Sequence, residues 1–195
     1  MRNPLRPKNL RLRFLPYYMA GGAILFFVRP TPAAYGTGAA LVVLGALLRT
    51  WGAGHLVKRD QLTVSGPYAR LRHPLYAGTL LTATGFGVIL GGWVSVAVLA
   101  FVLPWFFLHY FPRKDKSESE QLAKLHDGDF QLYYENVPAL LPALRPWHPA
   151  PGSLVKTDET VRWSGRRYSD NNELGTLLAQ MAGLAVLAIR TFPAA

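Results

Sequence analysis

Residues 66–78 read GPYARLRHPLYAG, a polar, aromatic and cationic stretch that runs directly into an apolar segment at 75–90. Pro74 suits the first position of a helix, where its missing N–H costs no hydrogen bond, and its ring disfavours helical geometry at His73. A helix is therefore expected to begin at Pro74. The N–H groups of its first turn would face back toward the polar stretch, where they can hold an anion.

A second interpretation of the same stretch is purely structural. Arginine and tyrosine are common at the level of the lipid headgroups, where they anchor a transmembrane helix. Spacing alone leaves both interpretations open for the side chains around the helix start, which are Tyr68, Arg70, Arg72, His73 and Tyr76.

The composition indicates an all-α integral membrane protein of one domain. Half of the 195 residues are hydrophobic and 16% are charged, which is low for a soluble protein. The apolar residues fall into five runs of roughly membrane-spanning length, although the last run could also form a buried amphipathic helix. These predicted spans are 15–28, 33–48, 75–90, 93–107 and 174–189. Without cysteine, the chain has neither disulfides nor thiolate metal sites.

The distribution of charge predicts the topology. Nearly all lysines and arginines lie in the N-terminal segment, in 49–72 and in 113–167, whereas the opposite turns hold Arg29 and Arg190. By the positive-inside rule the N-terminus is cytoplasmic and the C-terminus lies on the opposite side, as expected for a bacterial inner-membrane protein. The net charge of +10 is then explained by anionic membrane lipids as partners, and no nucleic acid is expected.

The polar region between the last two spans contains one predicted helix. Residues 117–132 are expected to form a helix that lies on the membrane, and the proline-rich segment after it cannot be one continuous helix. His126, Asp127 and Asp129 could ligate a metal, but a surface turn is the better interpretation, so no metal site is predicted.

No motif of a soluble enzyme is present: the sequence contains no phosphate-binding loop, no Gly-x-Ser-x-Gly and no His-Glu-x-x-His. The remaining candidate is a composite site formed by the turn at Arg72, His73 and Pro74 together with the Glu118 region. A helix N-terminus binds a carboxylate and a glutamate binds an ammonium group. The pair would suit the zwitterionic end of an amino acid.

A longer set of motifs surrounds this candidate site. The string RTWGAGHLVKRDQLTVSGPYARLRHPLYAG (49–78), then ESEQL (118–122), F-x-x-Y (130–133) and VP-x-x-x-P (137–142), resembles the isoprenylcysteine carboxyl methyltransferase family. Its superfamily includes membrane phospholipid N-methyltransferases. The resemblance implies a membrane enzyme that binds S-adenosylmethionine on the cytosolic side. The apolar runs predict a four-helix membrane core at 1–112 and a fifth transmembrane helix at 173–195, and the resemblance makes the region between them, 113–172, a cytosolic cap over the cofactor.

The resemblance also implies the site residues. Arg113, Lys114 and Glu118 are the expected catalytic residues. The usual Glu-Glu pair is Glu118-Ser119 here, with Glu120 displaced by one position, so either glutamate could hold the cofactor. The expected cofactor-binding residues are Gln61, Leu62, Thr63, Tyr68, Arg72, His73, Pro74, Leu75, Tyr76, Glu118 and Glu120.

The resulting hypothesis is methyl transfer from S-adenosylmethionine to a lipophilic acceptor that enters from the bilayer. For a carboxylate acceptor, Arg113 or Lys114 would orient it; for an amine, Glu120 or Glu135 would take its proton. The resemblance favours carboxyl O-methylation of an isoprenylcysteine-like substrate, with N-methylation of a phospholipid or small amine as the alternative. A non-catalytic lipid-binding or assembly protein that keeps the fold is the alternative from another class.

Overall fold

The computed structural model describes residues 28–57, 62–149 and 162–193. Within these ranges the chain forms helices and no β-strand, which confirms the predicted all-α class. The six α-helices are α1 (Pro32–His55), α2 (Pro74–Leu90), α3 (Gly92–Trp105), α4 (Phe111–Asn136), α5 (Gly165–Asp170) and α6 (Glu173–Thr191). A 3-10 helix (Gly66–Ala69) precedes α2, and a π-helical segment (Phe106–Tyr110) joins α3 to α4.

Three helical segments are long and apolar enough to cross a membrane. They are Pro32–His55, Gly92–His126 and Glu173–Thr191, and α2 is a shorter apolar helix of 17 residues. Large apolar side chains on these helices are exposed, as expected for surfaces that face lipid. The predicted run at 15–28 lies outside the described residues except for Val28. The count of five spans and the sidedness of the two ends therefore stay predictions.

Glycines bring α1 and α2 into backbone contact. Gly38 lies against Gly85 and Gly45 against Gly78, so the two helices run in opposite directions. A Cβ atom on Gly85 would lie 2.6 Å from the carbonyl oxygen of Gly38, and one on Gly45 would lie 2.6 Å from that of Gly78. No side chain fits at either crossing point. Small residues at these points let the two helices approach closely.

One continuous helical path runs from α3 through the π-helical segment into α4. The N–H of Phe111 donates to the carbonyl oxygen of Phe106, and Pro104 and Pro112, which lack an N–H, flank the irregular segment. The 35 residues of Gly92–His126 span about 50 Å at 1.5 Å per residue. The hydrocarbon core of a membrane is about 30 Å thick, so this helical segment is longer than one crossing requires. The helix predicted at 117–132 is wrong in its start, because α4 begins at Phe111. It continues the predicted fourth span without a break.

The segment 163–173 wraps around the C-terminal end of α1. The indole Nε1 of Trp163 donates to the carbonyl oxygen of Thr50 at 2.9 Å, and the side-chain amide of Asn171 donates to that of Ala53 at 2.8 Å. Asn172 has a left-handed backbone (φ 58°), which reverses the chain into α6. The start of α6 is thereby fixed beside α1.

The glycine crossing predicts that Gly45→Ala destabilises the fold, whereas Gly36→Ala in the same helix does not. Both changes gain the same helix propensity, but the new methyl at residue 45 meets backbone and the one at residue 36 meets nothing within 4 Å. We expect Gly45→Ala to lose about 1–3 kcal/mol relative to Gly36→Ala. Thermal unfolding of the purified variants in detergent measures the difference, and equal midpoints would contradict the packing described.

Candidate functional site

A cavity of about 610 Å³ lies where the end of α1, the segment 62–73, the N-terminus of α2 and one face of α4 meet. Its volume falls within the range of about 300–1,000 Å³ that is typical of small-molecule sites. The wall is mostly apolar and aromatic, with a few charged groups. It is lined by Arg49, Leu56, Val57, Leu62, Thr63, Tyr68, Arg72, His73, Pro74, Leu75, Tyr76, Thr79, Tyr110, Glu118, Ser119, Gln121, Leu122, Leu125, Phe130 and Tyr133.

Most of the residues expected to bind the cofactor line this one cavity. Gln61 lies outside the described residues. Glu120 does not line the cavity: its side chain is 60% exposed and approaches Lys116 at 4.0 Å. The predicted residues that do line it are Leu62, Thr63, Tyr68, Arg72, His73, Pro74, Leu75, Tyr76 and Glu118.

The helical geometry of α4 explains which charged side chains reach the cavity. At 3.6 residues per turn, Glu120 and Arg113 are rotated to the face of the helix opposite Glu118. Lys114 lies one turn before Glu118 on the same side, but its side chain is exposed and does not line the cavity. The structure therefore separates the expected catalytic cations, Arg113 and Lys114, from the cavity and leaves Glu118 in it.

The proline-rich segment after α4 holds the turn before α2. The N–H of Arg72 donates to the carbonyl oxygen of Pro138 at 2.8 Å, and the N–H of His73 donates to that of Ala139 at 3.0 Å. Further along, the N–H of Ala143 donates to the carbonyl oxygen of Arg70 at 2.8 Å. Proline prevents this segment from forming a helix, so its carbonyl groups are available to the turn. The backbone of the predicted site is thus fixed by residues about 70 positions away.

The end of α4 covers the other side of the same turn. Tyr133 donates from its hydroxyl to the carbonyl oxygen of Tyr68 at 2.8 Å, and both rings are buried. Burial raises the pKa of each phenol above its ordinary value, so both stay neutral and able to donate. Leu62, Val64, Phe130 and Val137 complete this apolar cluster.

Two carboxylates of α4 flank the imidazole of His73. The Nε2–H of His73 donates to Oδ1 of Asp115 at 2.7 Å, and Nδ1 lies 3.6 Å from Oε2 of Glu118. The hydroxyl of Tyr76, one turn further along α2, donates to the other oxygen of Glu118. Asp115 was missed by the sequence analysis, because a run of alternating charges on a helix is typical of a solvated surface.

Arg72 brings an incompletely satisfied cation to the cavity. Its side chain is 10% exposed, and its guanidinium carbon lies 3.7 Å from the centroid of the Tyr134 ring. Nη1 is 3.7 Å from Oδ1 of Asp115, beyond hydrogen-bonding distance, and neither Nε nor Nη1 has a hydrogen-bond partner among the described residues. Buried donors of this kind are normally satisfied, which marks Arg72 as a group that can bind an anionic ligand.

Arg49 is the second arginine of the cavity wall. Its Nε donates to Oε2 of Glu173 at 3.0 Å and its Nη2 donates to Oε1 at 2.6 Å. Its Nη1 donates to the carbonyl oxygen of Leu75 at 3.0 Å and to the hydroxyl of Thr79 at 2.5 Å. Neither Arg49 nor Glu173 was predicted as a site residue from the sequence, because a charged residue at the end of an apolar run is typical of the membrane interface.

Together these groups give the cavity an amphoteric polar end and an apolar remainder. Arg72 and the first turn of α2 can receive a carboxylate, and Glu118 can receive an ammonium group. Within the described residues, no group of three or more His, Asp or Glu side chains is arranged to hold a metal ion. The arrangement fits a zwitterionic organic ligand.

Three curated proteins are similar to part of the chain. The cobalt-zinc-cadmium resistance protein CzcN of Cupriavidus metallidurans is 33% identical over 105 residues, which cover 53% of this chain and 46% of that protein. The protein-S-isoprenylcysteine O-methyltransferase of Schizosaccharomyces pombe is 32% identical over 87 residues, or 44% and 35% of the two chains. The nickel-cobalt-cadmium resistance protein NccN of Alcaligenes xylosoxydans xylosoxydans is 29% identical over 105 residues, or 53% and 47%.

These similarities are partial. The chain spans less than half the length of each of these curated relatives. No protein-family model matches the chain, and no solved structure matches it significantly. The similarity to a methyltransferase is therefore distant, and it supports the expected family without assigning the chain to it.

The contact between α4 and the turn predicts that Tyr133→Phe weakens the fold more than Tyr134→Phe does. The first change leaves the carbonyl oxygen of Tyr68 without its hydrogen bond, whereas the Tyr134 hydroxyl has no hydrogen bond to the described residues. We expect a difference of about 1–3 kcal/mol in the free energy of unfolding. Chemical or thermal unfolding in detergent measures it, and equal stabilities would show that the hydrogen bond does not hold the turn.

Proposed function

We propose that this chain is an integral membrane enzyme that transfers the methyl group of S-adenosylmethionine to a lipophilic acceptor. The observation that carries the proposal is the placement of Glu118, Arg72 and the α2 N-terminus around one cavity at the end of apolar helices. The partial similarity to the fission-yeast isoprenylcysteine O-methyltransferase supports the same reaction class.

The cavity groups match the polar end of this cofactor. Arg72 has buried donors without partners for the methionine carboxylate, and Glu118 offers a carboxylate for the ammonium group. Tyr68, Phe130 and Tyr133 supply an apolar, aromatic wall for the remainder. S-adenosylmethionine, when bound, supplies an electrophilic methyl group on a sulfonium sulfur.

The protein's contribution to such a reaction is alignment rather than acid–base chemistry. Displacement at a methyl carbon needs the acceptor atom, the carbon and the leaving sulfur in line, and holding two reactants together lowers the barrier by several kcal/mol, up to roughly 7–11. The turn at 72–74 is held by backbone hydrogen bonds and by the contacts of His73 with Asp115, so the groups that would hold the donor have a fixed geometry.

The acceptor end of the cavity is proposed to lie near Arg49. Of the cations considered, Arg113 and Lys114 do not line the cavity, whereas Arg49 does. If Arg72 and Glu118 hold the donor, Arg49 remains as the cation that can orient an acceptor carboxylate. We therefore propose carboxyl O-methylation of an isoprenylcysteine-like acceptor, with Arg49 in the role first expected of Arg113 or Lys114.

The bilayer is the proposed source of the acceptor. Tyr110 lines the cavity, and its ring stacks on that of Trp105 with 5.4 Å between the centroids. Trp105 belongs to the exposed apolar surface of α3 together with Phe101 and Leu108 of the following segment. The aromatic pair joins this surface to the cavity, so an apolar chain could pass from lipid to the polar end without crossing water.

The names of two relatives concern metal resistance, and they suggest a second candidate. A metal-binding function would need a cluster of ligating side chains, and the part of the chain that the structure describes contains none. No specific observation favours this candidate over methyl transfer.

The cofactor proposal predicts that purified protein binds S-adenosylmethionine and that Glu118→Gln weakens this binding about tenfold or more, equivalent to about 1.4 kcal/mol. Glu120→Gln is the matched control, because Glu120 is the same residue type two positions away on the exposed face. It should bind within about twofold of wild type, as expected for an exposed charge. Calorimetry in lipid nanodiscs measures all three.

Two outcomes of that titration contradict the proposal. A folded wild-type protein that does not bind S-adenosylmethionine would refute the cofactor. If Glu120→Gln lost binding while Glu118→Gln kept it, the ammonium group would instead be held by the displaced glutamate, Glu120.

The acceptor proposal predicts that methyl label from S-adenosylmethionine appears as a base-labile ester on an N-acetyl-S-prenylcysteine. Its carboxamide should accept no label, because the amide lacks a carboxylate. Label on phosphatidylethanolamine instead would identify the amine alternative. Cofactor binding without label on any of these acceptors would favour the non-catalytic alternative.

A further inference from the structure

The ion pair between Arg49 and Glu173 is the most completely connected charged contact of the described chain. The side chains are 16% and 9% exposed, and the guanidinium meets the carboxylate through two parallel hydrogen bonds. Fork-to-fork pairs of this kind fix the plane of the guanidinium as well as its position. A simple charge contact between two helices would not require both hydrogen bonds.

The remaining donors of Arg49 are directed at α2. Nη1 donates to Leu75 and to Thr79, which line the cavity as Arg49 itself does. A guanidinium has five N–H donors, so within the described residues one N–H of Nη2 has no hydrogen-bond partner. Arg49 therefore lines the cavity with a fixed orientation and one donor available for a ligand.

The position of Glu173 follows from the segment before it. Trp163 and Asn171 hydrogen-bond to the last turns of α1, and Asn172 reverses the chain, so α6 begins beside Arg49. Glu173 lies in the first turn of α6, where the helix dipole stabilises a carboxylate. Trp163, Asn171, Asn172 and Glu173 all follow the motifs at 49–142 in the sequence, so α6 adds a contact that those motifs do not contain.

We propose that Glu173 is a positioning residue: it orients Arg49 so that the free Nη2 donor binds the carboxylate of the acceptor. The inference rests on the proposed function, because it assigns the acceptor a carboxylate. It goes beyond that function by making the C-terminal helix α6 a determinant of acceptor selectivity. Glu173 contacts Arg49 and is not expected to contact the acceptor or the cofactor.

The test measures the preference of the full-length protein for a carboxylate. The probes are an N-acetyl-S-prenylcysteine and its carboxamide, titrated separately onto protein in nanodiscs with saturating S-adenosylhomocysteine. The ratio of the two affinities isolates the carboxylate contact, because general damage to the fold weakens both probes alike. Wild type should bind the acid about tenfold or more tighter than the amide, equivalent to about 1.4 kcal/mol.

Three variants separate positioning from structure. Glu173→Gln should lower the ratio to about one, and Glu173→Asp should lower it severalfold, because the shorter side chain pulls the guanidinium away from the cavity. The exchanged pair, Arg49→Glu with Glu173→Arg, keeps an ion pair between α1 and α6. Its thermal midpoint should be close to that of wild type, but its ratio of acid to amide affinity should stay near one, since the cation then belongs to α6.

The control is Asp170→Asn, which removes a carboxylate from the exposed pair of Asp170 with Arg166 near the start of α6. Asp170 is 61% exposed, and its loss should change neither the ratio nor the thermal midpoint. Affinity for S-adenosylhomocysteine should stay within about threefold of wild type in every folded variant, because Arg72 and Glu118 are unchanged.

The results distinguish this inference from the proposed function. An unchanged ratio in any folded Glu173 variant, a restored ratio in the exchanged pair, or no acid preference in wild type would overturn the positioning role. Absence of cofactor binding together with a clear acid preference would instead overturn the methyltransferase proposal and leave Glu173 as the positioning residue of a carboxylate-binding site.

Discussion

The close approach of α1 and α2 is the constraint on which the rest of the structure depends. Glycines at both crossing points bring the two backbones into contact, and Pro74 packs near Gly52 at the same interface. Because the helices are in contact along their length, the last turns of α1 lie beside the first turns of α2. Arg49 consequently reaches Leu75 and Thr79, and the N-terminus of α2 cannot move independently of α1. A polar site can then be built at the edge of an apolar helix pair without a soluble domain.

Two segments that are distant in sequence hold the ends of these helices through hydrogen bonds. The proline-rich segment after α4 donates and accepts at the turn before α2, and the segment before α6 donates to carbonyl oxygens at the end of α1. The carbonyl groups in the last turns of α1 thereby find donors in another part of the chain rather than in water. The helix ends beside the cavity are thus held by segments that are distant in sequence and that do not themselves line it.

The sequence predicted the local features of the site better than its assembly. The start of α2 at Pro74 follows from the geometry of proline, and the gathering of Tyr68, His73 and Tyr76 follows from their closeness in the chain. Which glutamate faces the cavity could not be predicted, because that depends on the rotation of α4, which continues from α3 through a π-helical segment. For the same reason Arg113 was expected in a cavity that it does not line. The pairing of Arg49 with Glu173 joins residues 124 positions apart and left no periodic signal.

The charged groups of the cavity divide according to how fully they are satisfied. Glu118 is engaged by Tyr76 and lies near His73, yet part of its carboxylate stays exposed to the cavity. Arg72 is buried with donors that lack partners among the described residues, and Arg49 has nearly all of its donors engaged. In the proposed reaction these two states suit two roles. The unpartnered donors of Arg72 would hold the carboxylate of the cofactor, and the ion pair with Glu173 would hold Arg49 in place for the carboxylate of the acceptor. If the acceptor is a carboxylate, as proposed, its methyl ester has no charge for Arg49 to hold, so the product would leave the site more readily than the acceptor does.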